Sequence, residues 1–303
     1  MQNQDFSRFI AEHRLPESYI EQAQHWFSPL AKAIAEKQEK ANKTLIVGIN
    51  GSQGSGKSTL ADYLALLWRK AYQLNVVVLS IDDFYFTLQQ RQALSQTIHP
   101  LLLTRGVPGT HDIDLAVDVI RSLTASTSPT LVPRFNKATD DRFPEHEWDS
   151  VSPGVDIIIL EGWCMGAQPQ TEEELMMPVN ELEKIEDPDG HWRRYVNRQL
   201  AEVYPRLFNL VDTWVMLKAP SFDCVYQWRL EQENKLRDSL AASKKGTGNN
   251  NQKVMDGKAV GHFIQHYQRI TEHLLKTLPG RVDYLFVLNE NRKIISSNSL
   301  DPC

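Results

Sequence analysis

Residues 44–63 read TLIVGINGSQGSGKSTLADY. The opening TLIVGI is a continuous apolar run, which suits a strand buried on both faces. GSQGSGKS at 51–58 then fits the spacing G-x-x-x-x-G-K-[ST], and KSTLADYLALLWRKAY continues with helical texture. Strand, glycine-rich loop and helix stand in the order a phosphate cradle requires. The glycines let the backbone curl so that several N–H groups face phosphate oxygens, and the helix amino terminus adds partial positive charge. The cradle comprises Gly51, Ser52, Gln53, Gly54, Ser55, Gly56, Lys57, Ser58 and Thr59. Lys57 is expected to reach the β- and γ-phosphates and Ser58 to ligate Mg²⁺. The loop says that a nucleotide phosphate is held, not where it goes.

The same alternation runs outward from this stretch. NVVVLSI (75–81), VDIIIL (155–160), VDTWVMLKA (211–219) and VDYLFVL (282–288) read as further strands. TLVPRF (130–135) reads as a weaker, proline-interrupted strand near an edge. Helical stretches fall at about 114–126, 192–209, 221–242 and 256–277. Together these predict an α/β fold, a doubly wound, mostly parallel sheet with the phosphate loop after its first strand. In residues 1–43, Phe6, Phe9 and Ile10, then Ile20, Trp26, Phe27, Leu30 and Ile34, recur at spacings near 3 and 4. They predict two amphipathic helices, broken around Pro16, forming an extension packed on a domain of residues 44–303. Two segments look loose. Residues 167–192 are acidic and hold three prolines, and SKKGTGNNNQK (243–253), with no apolar residue, reads as a mobile loop tip.

The 303 residues are 41% hydrophobic and 23% charged, a globular profile. The net charge of −5 gives no global basic bias that would recruit nucleic acid or anionic lipid. Apolar runs such as VVVL and IIIL fall far short of the ~20 residues that span a bilayer. The first residues lack the basic-then-apolar pattern of a secretory signal. Cys164, Cys224 and Cys303 are odd in number and far apart, as expected of unpaired thiols in a reducing cytoplasm. A cytoplasmic location with no nucleic-acid or membrane partner is the expectation; oligomeric state is not legible.

Acidic residues gather at strand ends. SIDDFYF places Asp82 and Asp83 at the end of the second strand, where a carboxylate can position a hydroxyl and accept its proton. In extended backbone the two side chains would diverge, one toward the phosphate and the other toward backbone or a metal-bound water. An N-cap or turn role is as open for either. Glu161 ends the strand at 155–160 and is expected to support Mg²⁺ or to position water. The metal set is therefore Ser58, Glu161 and Asp82. RGVPGTHD (105–112) and PRFNKATDDR (133–142) bring Arg105, His111, Arg134, Lys137 and Arg142 into turn-rich segments suited to a small anion, or else to a solvated basic face. YQWRLEQENKLR (226–237) adds Arg229, Lys235 and Arg237 on a helical stretch that suits a lid over the phosphates, or plain Glu/Arg pairing. NKATD (136–140) and DPDG (187–190) approach guanine-nucleotide motifs but have the wrong spacing and order.

With these residues in place, the chain resembles the P-loop metabolite kinases of the uridine kinase, phosphoribulokinase and pantothenate kinase group. It resembles more closely the D-glycerate 3-kinase family and its fungal relative. The carriers are GSQGSGKS, SIDDFY, RGVPGTHD, PRFNKATDDR, LEGWCMG (160–166), VNRQLAEVY (196–204) and WRLEQE (228–233). The resemblance implies a kinase using ATP and Mg²⁺, with Asp82 as base, Lys57, Glu161 and a phosphate-facing Arg229 in the catalytic set, and Arg134 and Lys137 on the acceptor. Asp83, Tyr85, Arg105, His111 and Arg142 complete the expected acceptor site. The acceptor implied is a small anionic metabolite, D-glycerate first. A nucleoside or pantothenate-like kinase would instead show a neutral pocket lined by aromatics such as Trp163, Phe84 and Tyr85. A nucleotide-binding regulatory protein would have no small-molecule acceptor.

Overall fold

The computed structural model describes residues 3–243 and 257–299. Helices α1 (Asn3–His13) and α2 (Ser18–Ala41) precede strand β1 (Leu45–Gly51), and α3 (Lys57–Ala71) leads to β2 (Val76–Ser80). Next come α4 (Leu88–Thr97), α5 (Ile113–Ala125), and four short strands, β3 (Thr130–Val132), β4 (Phe135–Asn136), β5 (Asp141–Arg142) and β6 (Asp149–Val151). Strand β7 (Ile157–Gly162) is followed by α6 (Glu172–Met176), α7 (Glu181–Glu186), α8 (His191–Glu202) and α9 (Pro205–Phe208). Strand β8 (Thr213–Lys218), α10 (Phe222–Ser243), α11 (Gly257–Thr277), β9 (Tyr284–Leu288) and β10 (Ile294–Ser299) complete the fold. The sheet runs β10-β9-β8-β1-β7-β2, parallel throughout except for β10 at one edge. This is the doubly wound, mostly parallel arrangement.

The chain leaves β1 for β2 on one side and later lays β8 on the other, so the carboxyl end of β1 lies where the winding reverses. Ligands in such sheets sit at that crevice. Every residue of β1 is buried, as its unbroken apolar texture requires. A Cβ on Gly48 would come within 2.9 Å of Trp214 and Val211, so only glycine lets β1 meet that wall. Helix α2 packs on α3, where the Trp68 indole donates to Ala31 O at 2.9 Å, and Phe27 meets Phe286 of β9 edge-on with centroids 5.2 Å apart. No described helix is long and apolar enough to cross a membrane. Cys164 is buried and Cys224 half-buried, both as free thiols; Cys303 lies outside the described residues.

Four differences from the sequence reading have physical reasons. The stretch 130–135 does not join the main sheet. Pro133 lacks an N–H, so the run divides into β3, paired with β6, and β4, paired with β5. The expected loose segment 167–192 is ordered by α6, α7 and two buried ion pairs, a local one between Asp187 and Arg193 and one from Glu183 to Arg269, far along the chain. The long helix expected over 192–209 breaks before Pro205, which opens α9. Helix α4, started by a Thr87–Gln90 capping box, and edge strand β10 carried no strong periodicity. The loop tip read at 243–253 falls outside the described residues apart from Ser243.

Candidate active site

The phosphate loop takes the conformation its glycines permit. Gly54 and Gly56 have φ of 77° and 91°, and α3 starts at Lys57. A Cβ at Gly54 would lie 2.7 Å from Trp228 Cβ, so the loop is also closed from above by α10. Ser52 Oγ, Gln53 Oε1 and Ser55 Oγ are buried without a hydrogen-bond partner. Buried polar atoms are normally satisfied. Orphaned hydroxyls at a glycine-rich bend, beside the free N–H groups of a 15-residue helix and Lys57, fit a bound phosphate chain.

Register on β7 sets the carboxylate side. Glu161 pairs with Ile49 on β1 and with Ser80 on β2, which centres it at the strand ends. Ser58 Oγ donates to Glu161 Oε1 at 2.9 Å, and Lys57 Nζ stands 3.9 Å from Glu161 Oε2. Burial pushes the Glu161 carboxyl up, with Lys57 opposing. A hydroxyl and a carboxylate in contact beside a phosphate loop fit a hard divalent cation, which prefers oxygen ligands. Asp82, the third residue expected in a metal set, has its oxygens engaged elsewhere.

Strand β2 stops at Ser80, and Ile81–Phe84 form a 3₁₀ turn. The extended backbone assumed at Asp82 and Asp83 is therefore absent, yet the two side chains still part. Asp82 Oδ2 accepts from Lys137 Nζ at 3.0 Å and Oδ1 from Tyr85 OH at 2.7 Å. Burial would raise its carboxyl, but Lys137, Lys57 and Tyr85 outweigh that and hold it well below the usual carboxylate range. Asp83 is tied instead to Arg134 Nη1 at 2.8 Å and to Phe135 N at 3.2 Å, and burial raises its carboxyl. Asp83 thus anchors the β4–β5 hairpin, while Asp82 faces Lys57.

Four of the five basic residues expected to form an anion cluster, Arg105, Arg134, Lys137 and Arg142, have a carboxylate partner. Arg105 pairs with Asp140 and stacks over Phe135 at 5.3 Å. Arg134 bridges Asp83 and Asp149, and Arg142 bonds Tyr85 O and Asp112. Lys137 remains the most exposed of the four, at 63%, ahead of Arg134 at 33% and Arg105 at 27%. His111 is a correction. It is buried, accepts or donates at 2.5 Å with Tyr204 OH, and stacks on Tyr85 at 4.6 Å. Burial lowers its pKa to about 4, so it is neutral near pH 7 and backs Tyr85 rather than carrying charge to an anion. Arg229 is a second correction. Its guanidinium is held by Glu233 one turn on and stacks on Phe263 of α11 at 5.5 Å, so it turns toward α11 rather than onto the phosphate loop. The side chain of Lys235 lies outside the described residues.

Two aromatic residues of α11 that the sequence reading did not single out, Phe263 and Tyr267, lie beside Arg105 and Trp163. Tyr267 OH donates to Arg105 O at 3.1 Å and stands edge-on to Trp163 with centroids 4.8 Å apart. Phe263, one turn earlier, lies 5.1 Å from Tyr267. Burial, then the Asp82 charge, raises the Tyr267 hydroxyl. The i, i+4 spacing of Phe263 and Tyr267 on an amphipathic helix looks the same whether the stripe faces a core or a cleft.

His111 and His266 give a pH test. Burial lowers both to about 4. As pH falls, the unfolded chain takes up these protons near pH 6.5 and the folded chain does not, so stability drops between pH 6.5 and 4. Each histidine contributes a slope of up to about 1.4 kcal/mol per pH unit. Glu161 and Asp83, with raised carboxyls, act in the opposite direction, so the comparison must be made between variants. His266→Gln should flatten the loss in urea unfolding at pH 7, 6 and 5. An unchanged slope would show that His266 is not held neutral.

Fold and site define a kinase of the P-loop group, a phosphotransferase. No family model matches the chain. It is 33% identical over 272 residues to the "uncharacterized kinase mug58" of Schizosaccharomyces pombe, covering 85% of this chain and 92% of that one. It is 29% identical over 243 residues to the chloroplastic D-glycerate 3-kinase of Arabidopsis thaliana, covering 77% of this chain and 48% of the relative. Among solved structures, D-glycerate 3-kinase from Cryptococcus neoformans superposes with a TM-score of 0.72 at 24% identity, covering 90% of this chain and 98% of that one. The chain belongs to the family of D-glycerate 3-kinase and the fungal ATP-dependent kinases.

Proposed function

We propose that the protein transfers the γ-phosphoryl group of ATP to a hydroxyl of a small anionic metabolite, with D-glycerate the leading acceptor. The observation that carries this reading is Asp82, whose carboxylate feels Lys57 of the Lys57–Ser58–Glu161 group on one side and is bonded to Lys137, with Arg105 near Lys137, on the other. A protein that only bound or hydrolysed nucleotide would need no second carboxylate beside an anion-compatible rim. When bound, ATP and Mg²⁺ supply the phosphoryl group and a divalent charge that neutralises the phosphates. Lys57 and the loop amides hold the phosphates, Ser58 and Glu161 hold the metal, and Asp82 orients the acceptor hydroxyl and takes its proton. The relatives named as D-glycerate 3-kinases support glycerate, and Lys137 and Arg105 suit its carboxylate because Lys137 touches Asp82, Arg105 lies near Lys137, and both are partly exposed.

In this arrangement an acceptor carboxylate competes with Asp82 and Asp140 for Lys137 and Arg105. Drawing Lys137 off Asp82 raises the proton affinity of that carboxylate as the hydroxyl arrives. Release of ADP should therefore be stimulated by glycerate in a panel with pantothenate, uridine and other sugar acids. Stimulation by uridine alone would move the assignment to a nucleoside kinase, for which Tyr85, Trp163 and Tyr267 are the fitting wall. No stimulation by any hydroxylated metabolite would sink the transfer reading.

A further inference from the structure

A cleft of about 450 Å³ lies on the other side of the phosphate loop from the carboxylates. Its walls are the turn between α1 and α2, the loop at Gly54–Gly56, and the β9–β10 hairpin at Asn291–Ile294. The sheet order explains why this side matters. Glu161 and Asp82 follow β7 and β2, on one side of β1, whereas the cleft sits over the ends of β8 and β9 on the other. A nucleotide whose terminal phosphate meets Lys57 and Glu161 must lay its opposite end over β8 and β9. The cleft is there, and its volume falls in the usual range for a small-ligand site.

Its chemistry suits a flat heteroaromatic group with hydrogen-bonding edges. Leu15, Phe27, Leu217 and Leu288 give apolar surface, while Gln22 and Asn291 stand among the lining residues with amide groups. The walls are also referenced to the phosphates. Arg292 Nε donates to Gly54 O at 2.8 Å, its guanidinium pairs with Glu231 at 2.6 Å, and it stacks over Trp228 at 5.2 Å. On the far wall, the turn after α1 is fixed by Leu15 N donating to Ile10 O at 3.0 Å. Tyr19 and Phe9 close on Tyr63 of α3, the helix that the phosphate loop opens, with centroids 6.4 and 5.8 Å away. Arg14 and Arg292, one in each wall, have φ of 52° and 62°. Such left-handed non-glycine residues cost energy and persist where surrounding structure holds them, often at ligand sites.

We propose that the α1–α2 turn, residues 13–22, forms the outer wall of the pocket for the nucleobase and ribose of the phosphate donor. The N-terminal helices are then part of the nucleotide site, and they bear on which base is accepted. The proposal rests on the nucleotide reading above, so its test must fail separately from that reading.

Hydrogen exchange of the full-length protein with ADP or with inorganic tripolyphosphate makes the separation. Both ligands should protect residues 51–59, and ADP alone should add protection at 13–22 and 289–293. Protection of 51–59 by both ligands with none gained at 13–22 would overturn the proposal. No protection of 51–59 by either would instead overturn the nucleotide reading. A second measurement fills the cleft from outside. Gln22 and Ser18 are exposed on α2, so Gln22→Trp and Ser18→Trp leave the core untouched. Each should weaken ADP binding at least about tenfold and tripolyphosphate binding less than about twofold by calorimetry. Equal weakening of both ligands, or none of ADP by either folded variant, would count against the wall.

Discussion

Asp82→Asn is expected to lower kcat about a thousandfold while ADP binding survives, the usual scale for losing a positioned acid–base group. The substitution preserves shape, and the amide oxygen can still accept from Tyr85 OH, now 2.7 Å from Asp82 Oδ1. What is lost is the negative charge that faces Lys57 and Lys137 and the capacity to take a proton. Lys57, Ser58 and Glu161 keep their mutual contacts, so the donor side is untouched. Asp83→Asn is the matched control. It breaks the Arg134 pair and loosens the β4–β5 hairpin, so acceptor KM should rise more than kcat falls. Steady-state kinetics with each variant decide the assignment. Full turnover in Asp82→Asn, or a greater loss of kcat in Asp83→Asn, would move the base by one residue.

That one-residue ambiguity shows where sequence reading stops. The strand–loop–helix order of 44–63 predicts the cradle because every required feature is local: apolar run, glycines, lysine, helix. Glu161 was legible for the same reason, as an acid after an apolar strand. The parting of Asp82 from Asp83 depends on a 3₁₀ turn and on Lys137 and Arg134, which lie more than fifty residues along the chain. The basic segments were legible as basic, but their neutralising partners were not. Asp140 for Arg105 and Asp112 for Arg142 follow from hairpin geometry rather than from spacing. Likewise, nothing local marks Tyr267 as a neighbour of Arg105, since the contact spans 162 positions.

The same limit produced the misreading of 167–192, and removing its anchor carries the largest stability effect we expect. Glu183 is fully buried on α7, and Arg269 of α11 donates to it through Nε at 2.7 Å and Nη2 at 2.6 Å. Arg269 also donates to Glu174 O and Met177 O, which fastens α6 and the stretch after it. Val179 N adds a bond to Glu183 Oε2 at 3.0 Å. Glu183→Leu strands a buried guanidinium, and that should cost about 3–5 kcal/mol in urea unfolding. The double variant Glu183→Leu, Arg269→Leu should recover part of the loss, because the penalty comes from an unpaired buried charge more than from the missing attraction. A single-variant loss under about 1 kcal/mol would mean that the pair does not hold the segment. The effect should also reach the acceptor side. Arg269 sits two residues beyond Tyr267 on α11, so loosening its partner shifts the helix that carries Tyr267 and Phe263. Acceptor KM should therefore rise in folded Glu183→Leu protein while ADP affinity stays near wild type, which a collapse of the whole fold would not produce.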